Sequence, residues 1–264
     1  MTDRNAYGPW AVIAGGSEGV GSEFARMLAE DGFNLVLIAR KPGPLEDTAQ
    51  RCRDLGVQAR AIAADLLDAG SVGQIAAATQ DLEVGLLIYN AGASTCNEPF
   101  LQAELTDFRK VIDLNVTRMM ELVQLFGRPM ATRRRGGILL VGSLSGYMGA
   151  DRHSVYAGAK AFSRMFAESL WLELREHNVD VLELVLGVTR TPAMERIGLN
   201  FDAPGILVNT PTEVAREGLD NLANGPVLVA GGNAERAVAN NAPDRARVVL
   251  ETHEAIRELV NLRK

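Results

Sequence analysis

Few residues of this chain can crosslink it or bind a metal ion. Among its 264 residues there are two cysteines, Cys52 and Cys96, and three histidines. The cysteines do not form a Cys-x-x-Cys pair or another metal-type spacing, which argues against a disulfide framework and a zinc site. We therefore expect no metal centre, and the sparse cysteine content fits a reducing, cytoplasmic setting.

An excess of basic residues and long hydrophobic runs are also missing. The formal net charge is −6 and the isoelectric point is about 5.2, which does not indicate a nucleic-acid-binding surface. No apolar stretch approaches the length needed to cross a membrane, and no apolar signal region precedes Trp10. We expect a small-molecule partner, no nucleic acid and no membrane span.

The chain does contain a regular series of short apolar runs. Hydrophobic residues make up 47% of it and charged residues 23%, a composition typical of a globular protein. Seven runs lack the polar alternation of a half-exposed strand, so they predict buried parallel strands. These runs cover residues 10–14, 35–39, 59–63, 86–89, 138–141, 181–186 and 227–229.

Helical patterns separate the apolar runs. They cover residues 18–31, 44–55, 68–80, 104–129, 154–177, 212–223 and 245–262. This alternation predicts an α/β fold with a doubly wound, mostly parallel seven-stranded sheet. Because there is no linker, repeat or shift in composition, residues 1–264 are predicted to form a single domain. Two long loops, 93–99 and 191–209, follow predicted strands; ligands bind at that edge of open α/β sheets, and we expect 191–209 to be a substrate loop.

The first predicted strand leads directly into a glycine-rich turn that opens the first helix. Glycines allow a tight turn in which backbone amides approach a pyrophosphate, and the helix N-terminus adds partial positive charge. A dinucleotide is therefore expected to contact the residues of this turn. They are Gly15, Ser17, Glu18, Gly19, Val20 and Gly21.

A tyrosine and a lysine stand four residues apart in the fifth helical pattern. Residues at this spacing lie on one face of a helix, so Tyr156 and Lys160 are expected to be neighbours. The chain has only four tyrosines and four lysines, and roughly 0.06 such pairs are expected by chance. A cation beside a phenol favours the phenolate, which suits proton exchange at a carbinol. The alternative is an ordinary aromatic–lysine pair on a solvated helix face.

The Gly-xxx-Gly-x-Gly turn and the Tyr-xxx-Lys pair together resemble the classical branch of the short-chain dehydrogenase/reductase family. The resemblance implies a Rossmann-type domain that transfers a hydride between a nicotinamide cofactor and a secondary alcohol or ketone. Tyr156 would be the acid/base, and Lys160 would bind the nicotinamide ribose. Ser143 would hydrogen-bond the substrate oxygen, with Ser145 as its rival, and Asn115 would anchor a proton-relay water.

Further positions match the cofactor-binding motifs of this family. They are Asp65, Leu66, Asn90, Ala91, Gly92, Gly187, Thr189 and Thr191. The matches extend over about residues 8–232. Two positions depart from the family pattern: Ala14 stands where threonine is usual, and Leu186 stands where proline is usual. The second departure predicts a more mobile loop after the sixth strand, since proline restricts the chain.

The end of the second predicted strand bears on the choice of cofactor. Ala39 occupies the place where an NAD-type family member has an aspartate, and Arg40 and Lys41 follow it. An arginine there binds the 2′-phosphate of NADP, whereas a carboxylate repels it. Glu18 in the glycine-rich turn argues the other way, although acids at helix starts also favour the helix dipole. We predict NADP(H) over NAD(H).

The substrate loop 191–209 is rich in apolar residues, which favours an apolar alcohol or ketone (steroid-, acyl- or aryl-like) over a sugar phosphate. His153, three residues before Tyr156, either lines the pocket or is an exposed loop residue. The resemblance also implies that the helices near 104–129 and 154–177 pair between subunits, so we predict a homodimer or homotetramer.

Two other functions remain open for such a sequence. A non-catalytic dinucleotide-binding sensor or regulator would keep the glycine turn but would need none of the four catalytic residues, all of which are present. A sugar-nucleotide epimerase or dehydratase also uses a Tyr-xxx-Lys pair. Such enzymes carry a different glycine turn and a longer segment after the residue that corresponds to Thr191.

Overall fold

Seven parallel strands form the central sheet of the protein, whose computed structural model describes residues 1–202 and 205–261. The described residues form nine strands, of which seven belong to this sheet. In chain order they are β1 (Trp10–Ala14), β2 (Asn34–Ala39), β3 (Ala59–Ala63), β4 (Val84–Tyr89), β5 (Gly136–Ser143), β6 (Val179–Leu186), β7 (Val188–Thr189), β8 (Val208–Asn209) and β9 (Val227–Val229). The central sheet has the order β3-β2-β1-β4-β5-β6-β9, and its strand pairs are all parallel. The predicted seven-stranded α/β sheet is confirmed. Strands β7 and β8 pair separately beyond the end of β6.

Helices connect the strands and cover both faces of the sheet. They are α1 (Arg4–Tyr7), α2 (Gly19–Glu30), α3 (Pro42–Asp54), α4 (Ser71–Thr79), α5 (Leu105–Ile112), α6 (Arg118–Arg133), α7 (Ser154–Arg175), α8 (Pro192–Arg196), α9 (Pro211–Asp220), α10 (Ala234–Asn240) and α11 (Arg245–Asn261). A π-helical turn, Asp113–Thr117, joins α5 to α6, and a 3-10 turn, Leu144–Tyr147, follows β5. Of the helices in the described part of the chain, none has both the length and the apolar character needed to span a membrane.

The helix predicted over residues 104–129 differs from the structure. It is divided by the π-helical turn, and its last part continues through Pro129 to Arg133. Phe126 and Met130 are both buried against the sheet, so tertiary packing outweighs the unfavourable proline. The pattern over 245–262 forms α11 up to Asn261, and residue 262 lies outside the described residues.

Three helices were not predicted from the sequence. The α1, α8 and α10 helices contain four, five and seven residues respectively. Segments this short complete at most two turns, which is too few for an apolar period of 3.6 residues to be recognised.

The hydrophobic core consists of two layers, one on each face of the sheet. On one face α2, α3 and α9 pack through side chains such as Phe24, Leu45 and Val214. On the other face α4, α6 and α7 pack through side chains such as Ile75 and Leu122. Because both faces are covered, β1 is buried at every position, and the sequence of such a strand shows no polar alternation.

The order of the strands reverses beside β1. Successive strands lead from β1 to β2 and β3 in one direction, and from β4 to β5 and β6 in the other. The loops that follow β1 and β4 therefore diverge and leave a crevice at the carboxyl edge of the sheet, the usual ligand position in such folds. Because all seven strands are parallel, the segments that follow β5 and β6 reach the same edge.

Candidate active site

The glycine-rich turn between β1 and α2 is packed too tightly for larger residues. Gly15 has φ +84°, and Asn90 Nδ2 donates a hydrogen bond of 2.9 Å to its carbonyl oxygen. A Cβ atom on Gly21 would lie only 1.9 Å from the same oxygen. Glu18, the N-cap residue of α2, makes no side-chain hydrogen bond to the helix. The first N–H groups of α2 therefore remain available to an anion, and the turn fits a dinucleotide pyrophosphate.

The segment that follows β6 is seated on this turn. Gly19 has φ +58°, and a Cβ atom there would lie 3.2 Å from the Thr191 side chain. Ser17 and Val20 lie in the same turn, between β1 and the first residues of α2. The structure thus brings Thr191 to the glycine-rich turn, as expected for two parts of one cofactor site.

Glu18 is bound by an arginine from a distant part of the chain. Arg196 Nη1 donates to Glu18 Oε2 at 2.9 Å, and Arg196 Nη2 donates to Glu18 Oε1. The bonded Arg196 guanidinium, followed by the nearby charges of Lys41 and Arg40, holds the pKa of the Glu18 carboxyl below its usual value. The sequence analysis weighed Glu18 as an acid that disfavours NADP or favours the helix dipole, and nothing in the sequence links it to a residue 178 positions later.

Two cations and a structured turn lie at the ends of β2 and β3. Arg40 and Lys41 are exposed, and neither has an ion-pair partner among the described residues. Asp65 accepts a hydrogen bond of 3.0 Å from a backbone N–H two residues on, which shapes the turn after β3. Leu66 is buried, and its carbonyl accepts a hydrogen bond of 2.7 Å from Arg118 Nε. This end of the crevice therefore combines a structured turn with the long cationic side chains of Arg40 and Lys41, which are suited to bind a phosphate.

Lys160 occupies the centre of the predicted catalytic group. Its side chain is on α7 and only 8% exposed, and its Nζ donates to the Val141 carbonyl at 3.0 Å. The same Nζ lies 5.8 Å from the centroid of the Tyr156 ring. Ser143, the last residue of β5, accepts a hydrogen bond of 3.2 Å from Ser145 N through its Oγ. Ser145 thus contacts Ser143 through its backbone, and the choice of Ser143 as the catalytic hydroxyl stays a prediction.

Asn115 lies in the π-helical turn and is 2% exposed. Its Nδ2 donates to the Val111 carbonyl at 2.9 Å and to the Ala93 carbonyl at 3.0 Å, whereas its Oδ1 has no partner among the described residues. A Cβ atom on Gly92 would lie 2.8 Å from Asn115 Oδ1 and 3.0 Å from Lys160 Nζ. The amide oxygen and the ammonium therefore lie close to one point above Gly92, and a buried oxygen without a partner is suited to hold a water.

The loop after β6 is anchored at several points. A Cβ atom on Gly187 would lie 2.6 Å from Asn233 Nδ2, and Thr189 Oγ1 donates to the Gly187 carbonyl at 3.3 Å. Thr191 Oγ1 accepts a hydrogen bond of 3.3 Å from Met194 N and so caps α8. The greater mobility expected from the missing proline stays a prediction. The three predicted cofactor residues of this segment do lie together at the carboxyl edge.

His153 immediately precedes α7 and is half-buried, not fully exposed. Its ring is edge-on to the Tyr156 ring, with 6.2 Å between the ring centroids. Its Nδ1 lies 3.0 Å from the Asp151 carbonyl oxygen. His153 is therefore placed at the rim of the catalytic group, and its contact with a substrate stays a prediction.

A buried carboxyl that the sequence analysis did not single out lies beside this group. Glu183, in β6, is 1% exposed, and neither carboxyl oxygen has a hydrogen-bond partner among the described residues. Burial raises its pKa to about 7, against the opposing effects of the Ser163 hydroxyl and of the Lys160 and Arg164 cations. The signal in the sequence was a single acid inside the apolar run 181–186.

No metal centre is found in the part of the chain that the structure describes. Within it, no three histidine, cysteine, aspartate or glutamate side chains are grouped so that they could hold an ion.

Comparisons with known proteins point to one family. The family model described as short chain dehydrogenase matches residues 9–200. A very-long-chain 3-oxoacyl-CoA reductase from Neurospora crassa is 33% identical over 220 residues, which cover 81% of this chain and 65% of that protein. A 7beta-hydroxysteroid dehydrogenase from Mediterraneibacter gnavus is 28% identical over 255 residues, which cover 92% of this chain and 95% of that protein. The match thus spans about two thirds of the first relative and nearly all of the second.

Solved structures show the same fold. A structure of a 7beta-hydroxysteroid dehydrogenase superposes with a TM-score of 0.87 at 26% identity and covers 95% of this chain and 99% of its own. A short-chain dehydrogenase from Sphingobium yanoikuyae in complex with NADPH superposes with a TM-score of 0.78 at 29% identity, covering 90% and 93% of the two chains.

The buried Glu183 carboxyl predicts a dependence of stability on pH. Its pKa is about 7 in the folded protein against an ordinary value of 4.5, so the folded state binds this proton more tightly than the unfolded state does. The contribution to the free energy of unfolding therefore falls as the pH rises from 4.5 to about 7, and it is constant above that. Glu183→Gln cannot ionise, so its free energy of unfolding relative to the wild type should increase by about 3 kcal/mol across this window.

Urea unfolding at a series of pH values measures this difference. Glu173→Gln is the control, because it removes the same charge from an exposed position on α7 that does not act on Glu183. A difference between Glu183→Gln and the wild type that stays constant with pH would show that Glu183 does not titrate in this window.

Proposed function

The chain belongs to the short-chain dehydrogenase family, and from this premise we propose that it is an NAD(P)-dependent oxidoreductase. It transfers a hydride reversibly between a nicotinamide dinucleotide and the carbinol carbon of a secondary alcohol, which becomes a ketone. The observation that carries this proposal is the convergence of Lys160 Nζ, the Tyr156 ring and the unpartnered Asn115 Oδ1 at the crevice. A dinucleotide-binding sensor would need the glycine turn but has no use for these three groups.

A nicotinamide cofactor, when bound, donates or accepts the hydride. The cradle at Gly15 and Gly21, which a side chain would fill, and the uncapped start of α2 fit its pyrophosphate. Thr191 would bind the nicotinamide carboxamide, and Lys160 would bind the ribose hydroxyls. Asp65 would contact the adenine. The remaining cofactor contacts are proposed for Leu66, Asn90, Ala91, Gly92, Gly187 and Thr189.

The side chains of the site move the proton that accompanies the hydride. The Tyr156 phenol gives a proton to the substrate oxygen during ketone reduction and takes it back during alcohol oxidation. Ser143 Oγ donates a hydrogen bond to the same oxygen and stabilises the negative charge that develops on it. The Lys160 ammonium, 5.8 Å from the ring centroid, stabilises the phenolate. A water on Asn115 Oδ1 relays protons between Lys160 and solvent.

We propose an apolar substrate for this site. The segment after β6 exposes Ile197 and Leu207, at 69% and 46%, and the same segment carries Thr191, which lies against the glycine-rich turn. The similar proteins are named for a very-long-chain 3-oxoacyl-CoA and for a 7beta-hydroxysteroid. A suitable assay panel contains a ketosteroid, a 3-oxoacyl thioester, an aryl ketone and, as a polar comparison, a keto sugar. Reduction of each compound is measured by the decrease in NADPH absorbance. Turnover of the keto sugar alone would contradict the apolar assignment.

Tyr156→Phe should abolish most turnover of whichever ketone the panel identifies. The substitution removes the hydroxyl but keeps the ring, so the loss should be roughly a hundredfold or more, the range of general acid–base catalysis. NADPH binding, followed by fluorescence, should change little. Tyr147→Phe is the matched control, since Tyr147 lies beside the site under the Arg164 guanidinium. Near-native turnover by Tyr156→Phe would remove this tyrosine from the mechanism.

We propose that the cofactor is NADP(H) in preference to NAD(H). Ala39 leaves no carboxylate at the end of β2, and Arg40 and Lys41 stand exposed beside it. Glu18 in the glycine-rich turn is engaged by Arg196, which reduces its repulsion of a 2′-phosphate. A similar solved structure contains NADPH.

Arg40→Ala should weaken NADPH binding far more than NADH binding. One charge-assisted hydrogen bond contributes about 1.5–3 kcal/mol, so a loss of roughly 10- to 150-fold in NADPH affinity is expected. Fluorescence titration with both cofactors measures it. Arg128→Ala, which removes an exposed arginine from α6, is the control. Arg196→Ala should also weaken NADPH binding because it frees the Glu18 charge, and adding Glu18→Gln should restore it. Equal or tighter NADH binding by the wild type would disprove the preference.

We propose that the protein forms a homodimer or homotetramer through α5 and α7. Phe162, Met165 and Leu172 on α7 are 38%, 48% and 62% exposed, and Leu105 and Ile112 on α5 are 54% and 43% exposed. Five large apolar side chains on two helices are more than a solvated surface usually presents together. They suit a symmetric contact between two copies.

Light scattering of the wild type should therefore give a multiple of the monomer mass. The double variant Met165→Glu/Leu172→Glu should give the monomer, because it places charges in the contact. Val238→Glu, at a 74% exposed position on α10, should leave the mass unchanged. A monomer mass for the wild type at micromolar concentration would contradict the proposed assembly.

A further inference from the structure

We propose that Glu183 is a positioning residue of this site, and that the charge of its buried carboxyl sets the pH at which Tyr156 releases its proton. The proposal rests on the proposed function in one respect, the role of Tyr156 as acid/base. Glu183 itself does not contact substrate or cofactor in this scheme. It acts through Lys160, which lies between β5 and the catalytic tyrosine.

The placement of the carboxyl is the first step of the argument. Glu183 in β6 is paired in register with Leu140 in β5. Its side chain reaches along β5 to Gly142, where a Cβ atom would lie 2.5 Å from Glu183 Oε1. The absence of a side chain at Gly142 therefore provides the space that the carboxyl occupies.

Lys160 contacts the same short stretch of β5. Its Nζ donates a hydrogen bond of 3.0 Å to the carbonyl of Val141, and that carbonyl belongs to the peptide bond between Val141 and Gly142. The ammonium and the carboxyl thus flank a single peptide unit. Tyr156 lies four residues before Lys160 on α7, and its ring centroid is 5.8 Å from the same ammonium nitrogen.

The charged groups that act on Glu183 in the described part of the chain all belong to α7. Lys160 and Arg164 favour the ionised carboxylate, and Glu168 opposes it. The neighbouring strands contribute the uncharged residues Leu140, Gly142 and Val227, and the Ser163 hydroxyl on α7 also favours the carboxylate. With few competing charges and little water, a change in the charge of Glu183 acts mainly on Lys160 and on the groups around it.

The expected direction follows from the signs of the three charges. The Lys160 cation stabilises the Tyr156 phenolate, and an ionised Glu183 offsets part of that effect. Two unit charges about 10 Å apart at an effective dielectric constant of about 20 interact by about one pH unit, which gives the order of magnitude expected for this offset. A neutral residue at position 183 should therefore let Tyr156 ionise at lower pH.

A purely structural role would not explain this residue well. A carboxyl without hydrogen-bond partners destabilises a folded protein, whereas its neighbours in the run 181–186 are apolar side chains that pack without that cost. The Glu183 carboxyl occupies the space that a side chain at Gly142 would fill, next to the peptide unit that Lys160 binds.

The test is a titration of the Tyr156 phenolate by ultraviolet absorbance, which needs neither substrate nor turnover. The chain has four tyrosines. Burial raises the pKa of Tyr7 and of Tyr89 far above the ordinary value, so they do not interfere. The difference between each protein and the same protein carrying Tyr156→Phe removes Tyr147 and isolates Tyr156.

Glu183→Gln should lower the midpoint of this titration by about 0.5–1 pH unit. Glu168→Gln, which removes the same charge from α7 at a position two turns beyond Lys160, should shift it by less than about 0.2 unit. Glu183→Asp keeps a carboxylate and should return the midpoint towards the wild-type value. If Glu183→Gln does not fold, Glu183→Met provides the neutral residue.

A folded neutral variant whose midpoint equals that of the wild type would overturn the proposal, as would an equal shift in Glu168→Gln. With a verified substrate, the acid limb of kcat/KM for alcohol oxidation should move with the midpoint, while NADPH affinity stays unchanged. Loss of cofactor affinity with an unshifted pH profile would instead indicate a structural role. A midpoint shift in a protein that turns over no ketone of the panel would contradict the proposed function and leave this inference standing.

Discussion

A parallel sheet that is buried on both faces allows its ligand site at one edge only. Helices cover both faces, so the loops that follow the strands come together at the carboxyl edge. This constraint brings the glycine-rich turn, the segment from Asn90 to Gly92, the end of β5 at Ser143 and the loop at Thr191 to one crevice. Asn90 shows how close these segments are, since its side chain donates a hydrogen bond of 2.9 Å to the carbonyl of Gly15 in the glycine-rich turn. The chemistry of the site depends on that convergence.

Two acids near the crevice illustrate how environment decides what a charge does. Glu18 is at the surface, paired in a bidentate manner with Arg196, and solvent screens much of its influence. Glu183 is buried without a hydrogen-bond partner beside Lys160, so its pKa is raised to about 7. Glu18 lies near Arg40, where we propose that it acts on the choice of cofactor. Glu183 lies near Lys160, where we propose that it acts on proton transfer.

The central part of the fold could be read from the sequence. The bounds of β1, β3 and β9 agree with the predicted runs. In β1, which is buried at every position, the reason is that a strand covered on both faces leaves an unbroken apolar segment. Helices were recognised where they are long, as with α7, and missed where they are as short as α8. The π-helical turn at Asn115 could not be predicted, since one extra residue in a helix changes the apolar period too little to notice.

The sequence by itself determined the sheet, the glycine-rich turn, and the presence of Tyr156 and Lys160 on one helix face, because these features depend on neighbours a few residues apart. Only the tertiary structure decided that Arg196 binds Glu18, that Asn115 Oδ1 faces the same point as Lys160 Nζ, and that Glu183 lies against Gly142. Partners of this kind are far apart in the chain, and the direction of a side chain depends on how helices pack on the sheet. A local pattern carries no record of that packing, which is why the charges that adjust the site appear only in the folded protein.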